Sequence, residues 1–459
     1  MRYIRLILLL IIATMVMMNS CQKPEDWNET VSNDEWYSGG QQTVFITGSG
    51  AYSAAFPVIS QRNDFVHEVG DIAFEQTFVS SGVLNPGLGP VYNSVSCTSC
   101  HIADGRGAPM GPGPNIVSLL FKLSIPGEGP HGSPRGIPGF GTQLQHNAIF
   151  GTSPEADVDI AYTYIDGTYP DGTPYQLRQP IYTFSNPYMP LPGDFMYSPR
   201  VAPPVFGLGL LQAVDEYTIL EYEDEMDVDG DGISGKPNYA WDVVSASMKL
   251  GRFGWKAAST TVLQQSAGAY NEDMGITSFV FPYESSYGTS LNTDNTLEPE
   301  ISDSLMHAVE FYVRTLAVPA RRDVGEPLVQ RGKKLINEMG CVSCHRSEMR
   351  TATDMVFPEV SNQRIFPYTD MLLHDMGEGL ADHRPDHRAN GYEWRTPPLW
   401  GIGLTHVVNG HENFLHDGRA RSLEEAILWH DGEAELARNR FKTLSADDRA
   451  AVIAFLKSL

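Results

Sequence analysis

Apolar residues fall along this chain in several distinct patterns, and each predicts a different element. Near the amino terminus an unbroken apolar run from Leu6 to Met18 follows Arg2 and Arg5. From Val66 to Phe78 apolar positions recur near helical spacing. The same period marks Ser302 to Leu316 (Leu305, Val309, Phe311, Tyr312, Leu316), which stops at Val318-Pro319, and Leu328 to Glu338. Ser445-Ala-Asp-Asp448 reads as a loose capping box opening a terminal helix through Val452, Ile453, Phe455 and Leu456. Between 154 and 250 apolar and turn segments alternate with Tyr-rich patches, which predicts short strands and loops. Residues 108–141 are so dense in Gly and Pro that they read as loop. The pattern as a whole predicts a mainly α chain with long loop-rich and short-strand insertions in its first half.

The first apolar run is too short to span a bilayer. With its charged start and small residues at the end it has the form of a signal peptide over 1–20. Cys21 directly after Asn19-Ser20 resembles the site at which bacterial lipoproteins are lipidated and cut; an ordinary signal peptide with an incidental cysteine is the alternative. Residues 21–60 then read as a lipid-anchored polar tether. On this reading the protein is exported, as a periplasmic or outer-membrane lipoprotein that touches the membrane through its lipid alone.

The 459 residues carry a net charge of −24, which argues against nucleic acid, since that partner needs a basic footprint. A basic electron donor would be steered towards such a surface. The 5 cysteines are more informative. Four of them form Cys97-Thr-Ser-Cys100-His101 and Cys341-Val-Ser-Cys344-His345, two copies of the c-type haem attachment sequence. Two thiols add to the porphyrin vinyl groups and the adjacent imidazole reaches the iron, so the spacing is strict. A zinc site would want four clustered ligands, whereas these pairs lie far apart in sequence and each has its own histidine. Two covalent haem c groups are therefore expected.

In the first half the sixth iron position has Met110, His131 and His146 as candidates, none in a recognisable ligand context. An open position is the expectation, with Arg106, Gln143 and Gln145 as pocket groups and candidate catalytic residues. Asp227, Asp229 and Asp231 at positions 1, 3 and 5, Gly232 at 6 and the carbonyl of Ile233 at 7 are the opening of a calcium loop. Position 12 is Asn238 instead of a bidentate Glu, and an acidic turn held by Asx bonds is the alternative. Trp255, in Arg252-Phe-Gly-Trp-Lys256, is a candidate electron relay between the haems, against a plain packing role.

Residues 61–322 thus form a first haem domain with insertions and 323–459 a second, small cytochrome c domain built of helices and loops without a sheet. Within the second, Trp394-Arg-Thr-Pro-Pro-Leu-Trp400, His416-Asp417-Gly418-Arg419 and Leu423-Glu-Glu-Ala426-Ile427 resemble the carboxy-terminal half of bacterial di-haem cytochrome c peroxidases. That resemblance puts His430 where the family has an axial methionine, implying a bis-histidine second haem of lowered potential. It places His416 near the haems without ligating them. Six extra residues between Thr405 and His416 depart from the peroxidase pattern and put that family's inter-haem calcium site in doubt. The chain is more similar still to the di-haem oxidoreductases once described as thiol oxidoreductases. Gly89-Pro-Val-Tyr-Asn-Ser-Val-Ser-Cys97, Asp229 to Gly235, Arg252 to Lys256 and Leu415 to Arg421 carry that match.

The resemblance implies an enzyme, a peroxidase-like oxidoreductase. An external donor (a cytochrome, a cupredoxin or a quinol-linked protein) reduces the second haem, and a small oxidant such as peroxide is reduced at the first. The competing expectation is a non-catalytic, membrane-anchored electron-transfer cytochrome with both irons six-coordinate. Thiol oxidation by the chain's own cysteines fails on counting, since four carry haem and Cys21 carries lipid.

Overall fold

The computed structural model describes residues 33–82, 84–110, 118–292 and 299–459. The expected signal peptide, Cys21 and the start of the expected tether lie outside the described residues. Helix α1 (Gln61–Glu75) is capped by Ser60, whose Oγ accepts the Asn63 N–H, and it begins five residues before the predicted start. Helix α2 (Cys97–Cys100) is the single turn of the first haem motif. Strand β1 (Leu119–Glu128), the paired strands β2 (Asp157–Thr168) and β3 (Pro174–Ser185), and β4 (Met196–Val201) follow. Then come α3 (Val262–Met274), α4 (Asp303–Arg314), α5 (Pro327–Met339), α6 (Leu423–Leu428), α7 (Glu435–Thr443) and α8 (Ala446–Ser458). The Ser445 cap forms as read from the sequence, and Ser302 caps α4 in the same way. Among the described residues no helix is long and apolar enough to cross a membrane.

The expectation of a mainly α, cytochrome c-like chain is overturned: helix accounts for 31% and strand for 21%, the latter spread over many small sheets. Three misreadings explain it. Leu119, Phe121 and Leu123 alternate inside the Gly/Pro-rich stretch, and as β1, paired antiparallel with β4, they are fully buried. The β2–β3 ribbon has twelve residues per strand instead of several short ones, closed at a turn that includes Asp171 and Gly172. The second half also contains sheet, as Met349–Arg350 pairs with Arg364–Ile365 and Leu373–Asp375 with Glu393–Arg395. The long connection after His345 has no helical period, and its buried backbone groups need partners, which short ladders supply.

Described residues on either side of 322/323 pack together. One buried cluster joins Tyr52, Phe56 and Phe74 to Ile365, Leu372, Trp400 and Leu404. From residue 33 on, the stretch read as tether is built into the body. Thr43–Val44 pairs in parallel with Val318–Pro319, and the Tyr52 hydroxyl donates to the Gly401 carbonyl at 2.7 Å. Two helix crossings have the same device. A Cβ at Gly70 of α1 would lie 2.1 Å from the Ala308 carbonyl oxygen of α4, and one at Gly332 of α5 would lie 2.0 Å from that of Ala451 on α8. Glycine permits both close approaches, which bring the helix preceding each haem motif against a later one.

Candidate functional site

Each attachment motif is a tight turn ending in an oriented imidazole. Ser96 caps α2, its Oγ accepting the Ser99 N–H at 3.2 Å. His101 then turns Nδ1 onto the Pro203 carbonyl at 2.8 Å, and His345 turns Nδ1 onto the Tyr368 carbonyl at 3.0 Å. A proton held on Nδ1 by a carbonyl leaves the Nε2 lone pair free, the tautomer a metal-binding histidine presents. Burial drives both rings down to about 4, so both are neutral. His430 has the same arrangement, with Nδ1 2.7 Å from the Ala426 carbonyl and a value lowered by burial. It lies close enough to His345 to depress that ring further. Cys97, Cys100, Cys341 and Cys344 form no disulfide, and burial pushes Cys97, Cys100 and Cys341 up to about 12.

All seven of these residues line one cavity of about 1000 Å³. Its walls include Trp255, Trp394, Arg395 and His416, and its volume is at the upper end of small-ligand sites. Thiols outside any disulfide beside neutral imidazoles, facing a shared and largely apolar chamber, are the donor set that two thioether-linked porphyrins need.

The other predicted residues divide. Arg106 lines the cavity over the Trp255 ring at 5.2 Å, but its guanidinium is committed to the carbonyls of Asn413 and Leu415. Gln143 lines the cavity and donates to Asp273 Oδ1 at 2.6 Å, while Gln145 lies behind the wall, tied to Asn93 and to the Glu272 carbonyl. Of the sixth-ligand candidates only His131 lines the cavity, and its ring is stacked on Trp241 at 3.7 Å. Met110 is not part of the lining. Neither is His146, a half-buried residue whose two ring nitrogens are buried and unpartnered. Trp255 lines the wall, with Nε1 donating to the Val201 carbonyl.

The acidic loop brings carboxylate oxygens of Asp224, Asp227 and Asp229 within 4.8 Å of one another, a set that shares two residues with the predicted one. Asp231 instead accepts the Ile233 N–H in an Asx turn, and both residues border the cavity. Asn238 is buried away from the loop, donating to the carbonyls of Lys256 and Asp386, so the EF-hand does not close.

Sequence reading missed three groups. Asp273 and Glu272, on α3, line the cavity with Lys122, which pairs with Glu272. Burial raises Asp273 to about 6, with Lys122 pulling the other way. His374 is held between Asp370 (2.8 Å) and Glu433 (2.7 Å). Burial is the largest single effect and opposes its charge, but Asp370 and Cys344 together outweigh it and lift the ring well above the usual histidine value. None of these residues stands in a motif, and only the His-Asp character of 370–375 hinted at chemistry there.

A protein-family model described as "Di-haem oxidoreductase, putative peroxidase" matches residues 33–119 and 122–459. No curated protein and no solved structure matches the chain.

Proposed function

The chain belongs to the di-haem oxidoreductase family, and from that premise we propose a peroxidase-like reaction in which electrons enter at the second haem and reduce a small oxidant at the first. The carrying observation is that both attachment motifs open on one cavity with unequal surroundings. Beside the second motif lies another neutral imidazole, His430, with Nε2 free to complete a bis-histidine set. The wall beside the first motif, where Asp273 is close enough to act on the Cys97 and Cys100 thiols, holds Gln143, Asp273 and the Lys122–Glu272 pair, polar groups suited to an exchangeable ligand. The bound haems supply electron storage and the iron at which the oxidant is reduced. Asp273, titrating near 6, is the proton-exchanging group of this reading, because reduction of peroxide consumes protons and an acid works best near the operating pH. Gln143 fixes the Asp273 carboxylate by its amide. Trp394 and Trp255, neighbours in one buried cluster on the wall, are the path for electrons between the haems.

The haems are covalent, through Cys97 and Cys100 and through Cys341 and Cys344. The protein is exported and anchored by lipid at Cys21. The converging oxygens of Asp224, Asp227 and Asp229 hold calcium, and Asp229→Ala should lose it in metal analysis of the purified protein. The acidic surface receives a basic donor protein. Optical and EPR spectra of the oxidised protein, with carbon monoxide added after reduction, test the central reading. One high-spin haem that binds carbon monoxide is expected; two low-spin irons indifferent to it would remove the reading.

A further inference from the structure

Behind the cavity wall lies a phenol paired with a buried base, which the reaction above does not use. Tyr182, on β3, donates its hydroxyl to Asp417 Oδ2 at 3.2 Å. The same carboxylate oxygen is 3.8 Å from His416 Nε2. The His416 ring is stacked on Trp394 at 3.9 Å and 11°, and both line the cavity. Asp417 is held by the Nε and Nη2 of Arg419, and its own exposure is 2%. Burial first, then the Asp417 charge, raises Tyr182 well above the usual phenol value, so it stays protonated. Burial works against the charge of Asp417, but Arg419 and then His416 outweigh it and hold the carboxyl at about 2.

The neighbouring indoles can pass electrons between the haems, but they are worse places for an electron vacancy to rest. Trp394 has the Lys256 ammonium 4.6 Å from its ring, and Trp255 has the Arg106 guanidinium at 5.2 Å. A positive charge on either ring would face a fixed cation at close range. Their indole N–H groups donate to the carbonyls of Leu380 and Val201, which are poor proton acceptors. Tyr182 alone among these three rings is bonded to an ionised carboxylate. Once oxidised, a phenol becomes a far stronger acid than a carboxylic acid, so Asp417 accepts its proton even with Arg419 beside it.

We propose that Tyr182 is a redox-active residue that gives one electron to the haem side of the cavity while its proton passes to Asp417 Oδ2. The phenol O–H bond breaks, an O–H bond forms on the carboxylate, and a neutral phenoxyl remains. Peroxide takes two electrons and two protons to become two waters. Tyr182 supplies one of those electrons, and the external donor later restores it as Asp417 returns the proton. This rests on the reading that the cavity is oxidised by peroxide, and the test keeps the two apart.

Haem-loaded protein is frozen after hydrogen peroxide, and separately after illumination with a ruthenium polypyridyl and persulfate. Both samples are examined by optical and EPR spectroscopy. The expected result is an organic radical whose hyperfine pattern collapses when the chain is grown on ring-deuterated tyrosine. Tyr182→Phe should lose at least about nine-tenths of it, while Tyr197→Phe, in the adjacent ring of the same cluster, should retain it. In D2O an exchangeable deuteron should couple to the radical, as expected for the proton held on Asp417. A signal undiminished in Tyr182→Phe, or no tyrosine radical in either sample, overturns the proposal. Should Tyr182→Phe not fold, the deuteron coupling in the wild-type protein decides, and its absence overturns the proposal. If peroxide leaves the haem spectra unchanged, the peroxidase reading falls, and the illuminated sample still decides on Tyr182.

Discussion

Replacing Lys256 by Met tests whether the Trp394 wall of the cavity is held by a buried ion pair. Lys256 Nζ lies 2.7 Å from Asp382 Oδ1 and donates to the carbonyls of Arg384 at 2.8 Å and Asn390 at 2.9 Å. Both charged side chains have 0% exposure. Burial lowers the ammonium to about 8 against the pull of Asp382, so it is charged at neutral pH. Methionine keeps most of the volume but leaves Asp382 a buried anion without its cation, and Asp382 Oδ2 has no partner to begin with. Breaking such a pair from one side costs about 3–5 kcal/mol. Removing both charges, with Lys256→Met and Asp382→Leu together, should recover part of that loss, because a desolvated pair exchanged for apolar groups is near neutral. Recovery stays incomplete, since the Arg384 N–H then loses its acceptor on Asp382, at about 1–3 kcal/mol. Urea unfolding of the haem-loaded protein, followed by Soret absorption and tryptophan fluorescence, measures both variants. A single variant within about 1 kcal/mol of wild type, or a double variant no more stable than the single, refutes the reasoning.

Three further predictions address the site and its frame. His430→Ala should turn the second haem high-spin and open it to carbon monoxide; an unchanged spectrum would show that this imidazole is not a ligand. Asp273 binds its proton more tightly folded (about 6) than unfolded (3.8). Its contribution to stability is therefore full below about pH 4 and is lost as pH rises through 6, by ~3 kcal/mol. Asp273→Asn should flatten that fall in urea midpoints measured across the same range. Gly332→Ala puts a carbon 2.0 Å from the Ala451 carbonyl oxygen and must push α5 off α8. A loss of about 1–3 kcal/mol is expected in thermal unfolding, with Gly48→Ala, whose added carbon meets nothing within 4 Å, as the neutral control.

What could be read from the chain was whatever is decided within a few residues. The two attachment motifs are such features, since both thiols and the imidazole must rise from one turn. The Ser445 cap is another, as it needs only a backbone N–H three residues on. The helices α4, α5 and α8 followed from their period. Strand β1 escaped because Leu119, Phe121 and Leu123 alternate for too short a stretch to outweigh the glycines and prolines around them. Gln145 and Gln143 were indistinguishable in sequence, and regular strand alternation would put both on one face; the backbone there is irregular, and only Gln143 reaches the cavity.

By itself, then, the sequence determined the two C-x-x-C-H motifs, the family and the local helices. Only the tertiary structure decided that the two halves share one core and one cavity, and that residues 33–60 belong to it. It also decided that Lys256 meets Asp382, His374 meets Glu433 and Tyr182 meets Asp417. Those partners stand 126, 59 and 235 residues apart. Contacts at such separations leave no periodic trace, because each is fixed by how a whole buried surface closes and not by the residues on either side of it.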